Sequence, residues 1–478
     1  MNSKYFFNPY NFVSTPKRDL DDDVLGDARP IGHSRIEEGT LSGKLVIKMV
    51  AETPLLIPSS DVAVDKNGHR SRKTRTIGGA MNNAGEKLQP FVAIPSSSVK
   101  GMVRSAYEMI TNSRFSVFAG HDERLGMRLG PKRTLHPKSP LEVLDATLRP
   151  AEGFDKFSSA ERIFGWASDG SAVASNRSAY AGHLRFSHVR CKTSSPIEKL
   201  DGGRILAILN SPKPTMARFY AGILHEDGET YFDPKTSKAK ALYDEKSVLR
   251  GRKVYPHHGS FDSSSNKWRS PAKSNVNQSI LDWIKPKTEF EFSIQFRNIT
   301  AAELGGLIAS IQTGEGQCHR LGGGRPLGFG AVSLNVDFEK SKISTQQSLS
   351  QSWENCETAK FLPAEDLLKL ETEFREKVQS EPFYKTFISY LDGYANAEGI
   401  QVMYPRSSAD SNDPNAILDW FVANERLENG HSLPQIGAAQ KNSLPFISRP
   451  PKPDNRGGNN NRGGHGGGGG GGRPRPRR

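Results

Sequence analysis

"EFEFSIQFRNITAAELGGLIASIQT" occupies Glu289–Thr313, and its hydrophobic period changes half-way along. Up to Ile299 the residues alternate, so Phe290, Phe292, Ile294 and Phe296 share one face of a predicted strand. From Thr300 the spacing becomes helical, with Leu304, Leu307, Ile308 and Ile311 in one stripe. Thr300 and Glu303 have the spacing of a capping box, which fixes where that helix begins. A bare loop follows, "HRLGGGRPLGFG" (His319–Gly330), and then "AVSLNVDF", with Val332, Leu334, Val336 and Phe338 on one face. The unit therefore reads strand, helix, strand.

The same order stands earlier in the chain. "KLVIKMVAETPLLIP" (Lys44–Pro58) reads as a strand with Leu45, Ile47 and Met49 on one side. In "FVAIPSSSVKGMVRSAYEMI", Val99, Met102, Val103, Ala106, Tyr107 and Ile110 make an apolar helical face, and Ser96 or Ser97 is placed to cap it. "GHLRFSHVR" (Gly182–Arg190) reads as the next strand, with Leu184, Phe186 and His188 on one side. Two strand–helix–strand halves predict an α+β, ferredoxin-like core, the split βαβ arrangement shared with RNA-recognition motifs.

The expected organisation is an N-terminal extension (1–43), a first half with a basic loop (44–190), and an insertion (191–285). A second half with the Gly-rich loop (286–340), a helical appendage (341–445) and a tail (446–478) follow. The insertion, rich in Lys, Arg, Ser and Pro, reads as an excursion from the sheet. The tail is Pro-rich and then Gly, Asn and Arg, too poor in apolar residues to fold.

The charge balance points to a polyanion: 65 Lys+Arg against 52 Asp+Glu give +13. The tail's eight basic residues against Asp454 contribute +7, so +6 belongs to residues 1–445. Cys191, Cys318 and Cys356 are far apart and form no CxxC pair, which argues against a disulfide framework or a zinc cluster. "MNSKYFFNPYNF" lacks the apolar stretch of a signal peptide, and no run approaches membrane-spanning length. The expectation is a cytoplasmic protein with no membrane partner.

The glycine loop is neither a Walker A loop nor a dinucleotide fingerprint. No Gly-Lys-Ser/Thr follows it, and its order is helix, loop, strand instead of strand, loop, helix. Left open are a loop that merely needs several positive φ angles and a loop whose N–H groups, with Arg320 and Arg325, take phosphates. "LGFGAVSL" partly matches the RNP1 pattern but has Leu327 at the basic position and Ala331 and Leu334 where stacking rings belong.

Three stretches carry a family resemblance. "IPSSSVKGMVRSAYE" (Ile94–Glu108) resembles the Ile-Pro-Gly-Ser-Ser-Leu-Lys-Gly signature of the RAMP superfamily of CRISPR-associated proteins. "ERIFGWASDGSA" with "GHLRFSHV" resembles that family's Leu-Phe-Gly segment, and "LGGGRPLGFGAV" is similar to its C-terminal glycine-rich loop. The resemblance runs from about Leu41 to Phe338 and is nearest to backbone-type subunits of type III effectors, in a large-insertion branch.

It implies a subunit that binds CRISPR RNA beside other effector subunits and presents target RNA in antiviral defence. The residues it marks as RNA-binding are Ser96, Ser97, Ser98, Lys100 and Arg104 on the first helix. Around the loop they are Gly322, Gly323, Gly324, Arg325, Gly328 and Gly330, and Arg320 joins them as a candidate by its charge beside the glycines. In the insertion, Arg250, Arg252 and Lys253 of "RGRKVYPHH" are RNA-binding candidates by their clustered positive charge. Ser96 stands where the family usually has glycine.

Such subunits can cut target RNA with an aspartate in the loop after the first strand, usually with Mg or another divalent cation. The acids there are Asp61, Asp65 and Glu86, and the candidates for catalysis are Asp61 and Asp65. The family's aspartate usually sits nearer the Ile-Pro segment than either. Two other readings use different features. A stand-alone, metal-independent endoribonuclease processing CRISPR RNA precursor would use His257 and His258. A general RNA binder would use the Arg-Gly-Gly units Arg456–Gly458 and Arg462–Gly464.

Overall fold

A computed structural model describes residues 4–64, 70–77, 91–118, 123–129, 132–168, 178–209, 214–224, 230–231, 234–237, 240–270, 278–394, 401–407, 416–437 and 443–448. Asp65, Glu86 and the Arg-Gly-Gly units lie outside them.

The central element is strand β1 (Leu41–Ala51). Leu45, Ile47, Met49 and Ala51 are fully buried, while Lys44 and Lys48, at alternate positions, face outward, as the pleat requires. The small sheet beyond it uses β2 (Pro58–Val64) and β3 (Arg70–Thr74). Then come helices α1 (Ser96–Ile110) and α2 (Ser159–Phe164). β4 (Leu184–Phe186) and β5 (Arg190–Cys191) are two pieces of the predicted Gly182–Arg190 strand. β6 (Ile197–Ile205) and β7 (Ser279–Ile284) bound the insertion.

The second half supplies β8 (Glu289–Ile299), α3 (Ala301–Ile311), β9 (His319–Arg320), β10 (Ala331–Val336) and β11 (Lys342–Thr345). Helices α4 (Gln346–Glu354), α5 (Ala364–Val378), α6 (Pro382–Asp392) and α7 (Ala416–Arg426) follow.

The main sheet runs β4–β8–β1–β10–β9, every pairing antiparallel. Register aligns the buried faces: Phe292 opposes Ile47, Ile294 opposes Leu45, and Leu334 opposes Met49. β5 extends the β8 edge, and β11 continues along β1 where β10 stops. Val99, Val103 and Tyr107 of α1 and Leu304, Leu307, Ile308 and Ile311 of α3 share one core with these strands. The capping box of α3 forms as expected: the Thr300 hydroxyl accepts from the Glu303 N–H, and the Glu303 carboxylate accepts from the Thr300 N–H.

α5 lies across α3, and "LGG" explains how closely. A Cβ on Gly305 would sit 2.3 Å from the Leu370 carbonyl oxygen, and one on Gly306 would meet the Phe374 ring at 2.9 Å. These glycines cost helix propensity and give back helix–helix approach.

Two smaller cores join segments remote in sequence. Phe6, Tyr10 and Phe12 of the N-terminal extension pack with Phe219 of the insertion and Trp420 of α7. Asn11–Val13 pairs with Arg252–Val254, and Tyr5–Phe7 pairs with Gln401–Val402 and Leu444–Pro445. The second core sets Trp268 and Trp283 against Phe329 of the glycine loop. The insertion's ends therefore return to the main body. β6 and β7 complete a four-stranded sheet, β6–β7–β3–β2, with the basic hairpin after β1.

Candidate nucleic-acid interface

The chain leaves β1 through Leu56–Pro58, at the same end of the sheet as the start of α1, the glycine loop and Lys253–Tyr255. These four stretches enclose a cleft of about 560 Å³. Ser98, Gly101, Met102 and Ser105 of α1 line one wall. They lie at helical spacing on the flank of α1 next to its buried stripe.

The loop forms the opposite wall. Gly322 has φ +80°, and a Cβ there would lie 2.4 Å from the Leu56 carbonyl oxygen. Its neighbour Gly323 is under no such constraint: its φ is not positive, and the nearest atom to an added Cβ is 3.8 Å away. The Gly323 N–H is spent on the Leu56 carbonyl (2.9 Å). What Gly323 offers the cleft is the absence of a side chain.

Four cations line the cleft, Arg75, Lys253, Arg320 and Arg325, and no carboxylate does so among the described residues. Arg320 is the most enclosed of them. Its Nη2 donates to the Arg325 carbonyl, yet its buried Nε and Nη1 have no hydrogen-bond partner. Burial lowers its pKa to about 10, so it stays charged at neutral pH. A buried guanidinium with two idle donors is costly unless an anion arrives.

Lys253 is also held without a carboxylate. Its ammonium sits 3.8 Å from the centroid of the Tyr10 ring and donates to the Tyr220 hydroxyl at 3.2 Å. Burial lowers its pKa to about 8. Arg325 is exposed, its guanidinium 5.2 Å from the Tyr255 ring centroid.

The remaining expected residues divide. Ser98, Arg320, Gly322, Gly323, Arg325 and Lys253 line the cleft. Ser96, Ser97 and Lys100 lie on the first turns of α1 but do not line it. The expected serine cap is absent. Pro95 is the N-cap residue, without a side-chain hydrogen bond, because proline already sets the backbone angle for helix entry.

Arg104 is half-buried and pairs with Glu108 at 2.9 Å. Arg252 is buried, pairs with the same carboxylate at 3.2 Å, and lies 4.1 Å from the Phe115 ring centroid. Arg250 donates from Nε to the Ala221 carbonyl at 3.2 Å. Gly324, Gly328 and Gly330 shape the loop from behind; a Cβ on Gly330 would come 2.0 Å from the Leu321 carbonyl oxygen.

Asp61 is exposed on β2, three residues beyond Pro58, with its backbone N–H donating to the Ser59 hydroxyl. Among the described residues, no group of three or more His, Cys, Asp or Glu side chains stands ready for a metal ion. Asp61 by itself does not make a site for a divalent cation.

His257 is buried between the Leu391 carbonyl and the Gly259 N–H, at 2.9 and 3.1 Å. Burial, with Arg320 and His257 adding to it, pushes His258 down to about 3. Burial favours the neutral form of both imidazoles; His257 is held by two hydrogen bonds, and the His258 Nε2 is enclosed without a partner. His183 is likewise buried, facing Tyr180 and the Ile31 carbonyl. Sequence reading passes over Tyr255 and Met102 as cleft residues. The signal for Tyr255 was its two-residue spacing from Lys253, one residue past the strand Arg252–Val254, which carries both toward the same side.

A family model described as the RAMP superfamily matches residues 48–333, a span that contains both walls of the cleft. The chain belongs to the RAMP superfamily. No curated protein matches it. Among solved structures, this RAMP protein is similar to a chain of a "Type IV-B CRISPR Complex" at 15% identity. The match covers 61% of this chain and 90% of that one, with a TM-score of 0.28. No helix among the described residues is long and apolar enough to cross a membrane.

Proposed function

We propose that this RAMP protein binds CRISPR RNA along the cleft, as a backbone-type subunit of a CRISPR ribonucleoprotein effector of type III. The observation that carries the reading is the set of four cations without a carboxylate, with Arg320 buried and two of its donors idle. A phosphate entering beside Gly323 meets no side chain and gains charge-assisted hydrogen bonds from Arg320 and Arg325. Tyr255, beside Arg325, offers a ring on which a base can stack. The strand order β4–β8–β1–β10, with α1 and α3 on one face, supports a ferredoxin-like core, whose chain reversals bring the loop and the helix start to one end.

Other effector subunits and a target RNA are the partners this role requires. The test is native purification and sequencing of bound RNA. RNAs of uniform length sharing a repeat-derived 5′ end support the reading; random fragments lost in moderate salt refute it.

Cleavage of the paired target is a second reading, favoured by the exposed position of Asp61 on the strand that leaves the cleft at Pro58. Asp61→Asn, Asp65→Asn and the double variant, assayed with Mg in the assembled complex, decide it. Loss of a cut with guide binding intact supports cleavage, and wild-type cutting by all three removes it. The histidine-based processing reading draws no support from His257 and His258, both locked in neutral hydrogen-bonded or enclosed positions.

A further inference from the structure

At the other end of β1 lies a second groove, of about 460 Å³, on the sheet face turned away from α1 and α3. Roughly 23 Å of strand separate Lys44 from Ala51 at about 3.3 Å per residue, and the cleft begins only beyond that. Lys44, Arg297 and Lys342 line the groove, brought together by β1, β8 and β11. No carboxylate lines it among the described residues, and these three cations have no ion-pair partner there.

Trp353 of α4 closes one side. It is 64% exposed, whereas the other four tryptophans, Trp166, Trp268, Trp283 and Trp420, are all buried. Phe361, also exposed, sits 5.2 Å from the Lys342 ammonium, measured to the ring centroid. Nothing in the fold requires an indole here. α4 buries only Ser352, so Trp353 contributes little to the core.

We propose that this groove is a second contact for single-stranded RNA, with Trp353 stacking a base and Lys44, Arg297 and Lys342 holding flanking phosphates. Separate cations around one exposed ring suit a polynucleotide better than a protein face, which would bring a broader apolar core and fewer unpaired charges. The contact is independent of the cleft: it shares no residue with it and stands if the cleft reading fails.

The lone exposed tryptophan supplies the measurement. Acrylamide quenching of tryptophan emission is recorded on the full chain, with and without a short oligouridine. Bound oligouridine should shield about one tryptophan's worth of emission, and Trp353→Phe should abolish that shielding. Trp353→Ala should weaken oligouridine binding about ten-fold, and Arg297→Glu with Lys342→Glu at least as much. Arg325→Glu, which alters only the cleft, should leave shielding at saturating oligouridine unchanged.

Three results overturn the proposal. One is oligouridine binding without shielding of Trp353. Another is unchanged affinity in the Trp353→Ala chain. The third is shielding that rises with protein concentration in the absence of RNA, which makes the groove a contact between copies.

Discussion

Arg252 and Lys253 are neighbours on one strand, and they show how this chain divides its positive charge. Arg252 turns inward to Glu108, Ser113 and the Phe115 ring, and with Arg104 it locks α1 to the insertion. Lys253 turns to the other side, among tyrosines, and meets the cleft with Arg320 and Arg325. A strand sends alternate side chains to opposite faces, so one basic run serves the architecture on one side and the proposed RNA cleft on the other. The two networks should differ in what their loss does: Arg252 should govern folding, Arg320 and Lys253 the affinity for RNA.

The largest effect is expected from Arg252→Ala. It leaves the buried Glu108 carboxylate with only Arg104 and the Ser116 hydroxyl, and the Ser113 carbonyl without its donor. Breaking a buried pair from one side costs about 3–5 kcal/mol, so the thermal midpoint should fall by many degrees. RNA affinity per folded molecule should stay near wild type. A large affinity loss at unchanged stability would dissolve the distinction.

Arg320→Gln should do the reverse. Removing a charged donor to phosphate costs about 1.5–3 kcal/mol of binding, a ten-fold to hundred-fold weakening. Stability should hold or rise, since a buried cation with idle donors is removed. Calorimetry and filter binding on the same preparation check both halves. Gly323→Ala makes a finer cut: its backbone tolerates alanine, so the fold should persist while the methyl group narrows the cleft and weakens RNA a few-fold.

A smaller effect is expected from pH. Burial holds Lys253 near 8, below the usual lysine range, so raising the pH through 8 discharges it in the free protein. RNA binding should therefore weaken between about pH 7 and 9, and Lys253→Arg should flatten that slope. The stability linkage has the opposite sense. The folded state binds fewer protons than the unfolded one between about 8 and the ordinary lysine value of about 10.4. The penalty is thus full below about 8 and disappears as the pH rises above the ordinary value. A pH-independent affinity in the wild-type chain would remove Lys253 from the interface.

The parts of the fold that were legible in the sequence are those written in local periodicity. Phe290 to Phe296 and Leu304 to Ile311 declare their faces within a few residues, and Thr300 with Glu303 marks the helix start. The glycine loop was legible as a loop, but not which glycine has which task. Gly322 is demanded by its φ and by Leu56, whereas Gly323 only leaves space, and tertiary neighbours decide between them.

Long-range pairing was hidden in the same way. Arg104 and Arg252 read as phosphate ligands until Glu108, a residue on the helix's own buried side, claims both. The core of Phe6, Tyr10, Phe219 and Trp420 joins residues hundreds of positions apart, which no window of sequence connects. The tail boundary also moves: Phe446, counted with the tail, lies 5.1 Å from Phe6, centroid to centroid.

Ultraviolet crosslinking of RNA to the natively purified chain, with peptides located by mass spectrometry, tests the central claim most directly. Bases held in the cleft should crosslink to the peptides carrying Tyr255 and Met102, and Arg320→Gln should reduce those adducts several-fold. Adducts confined to the peptides after Ser448, unchanged by Arg320→Gln, would contradict the account and move RNA binding to the Arg-Gly-Gly tail.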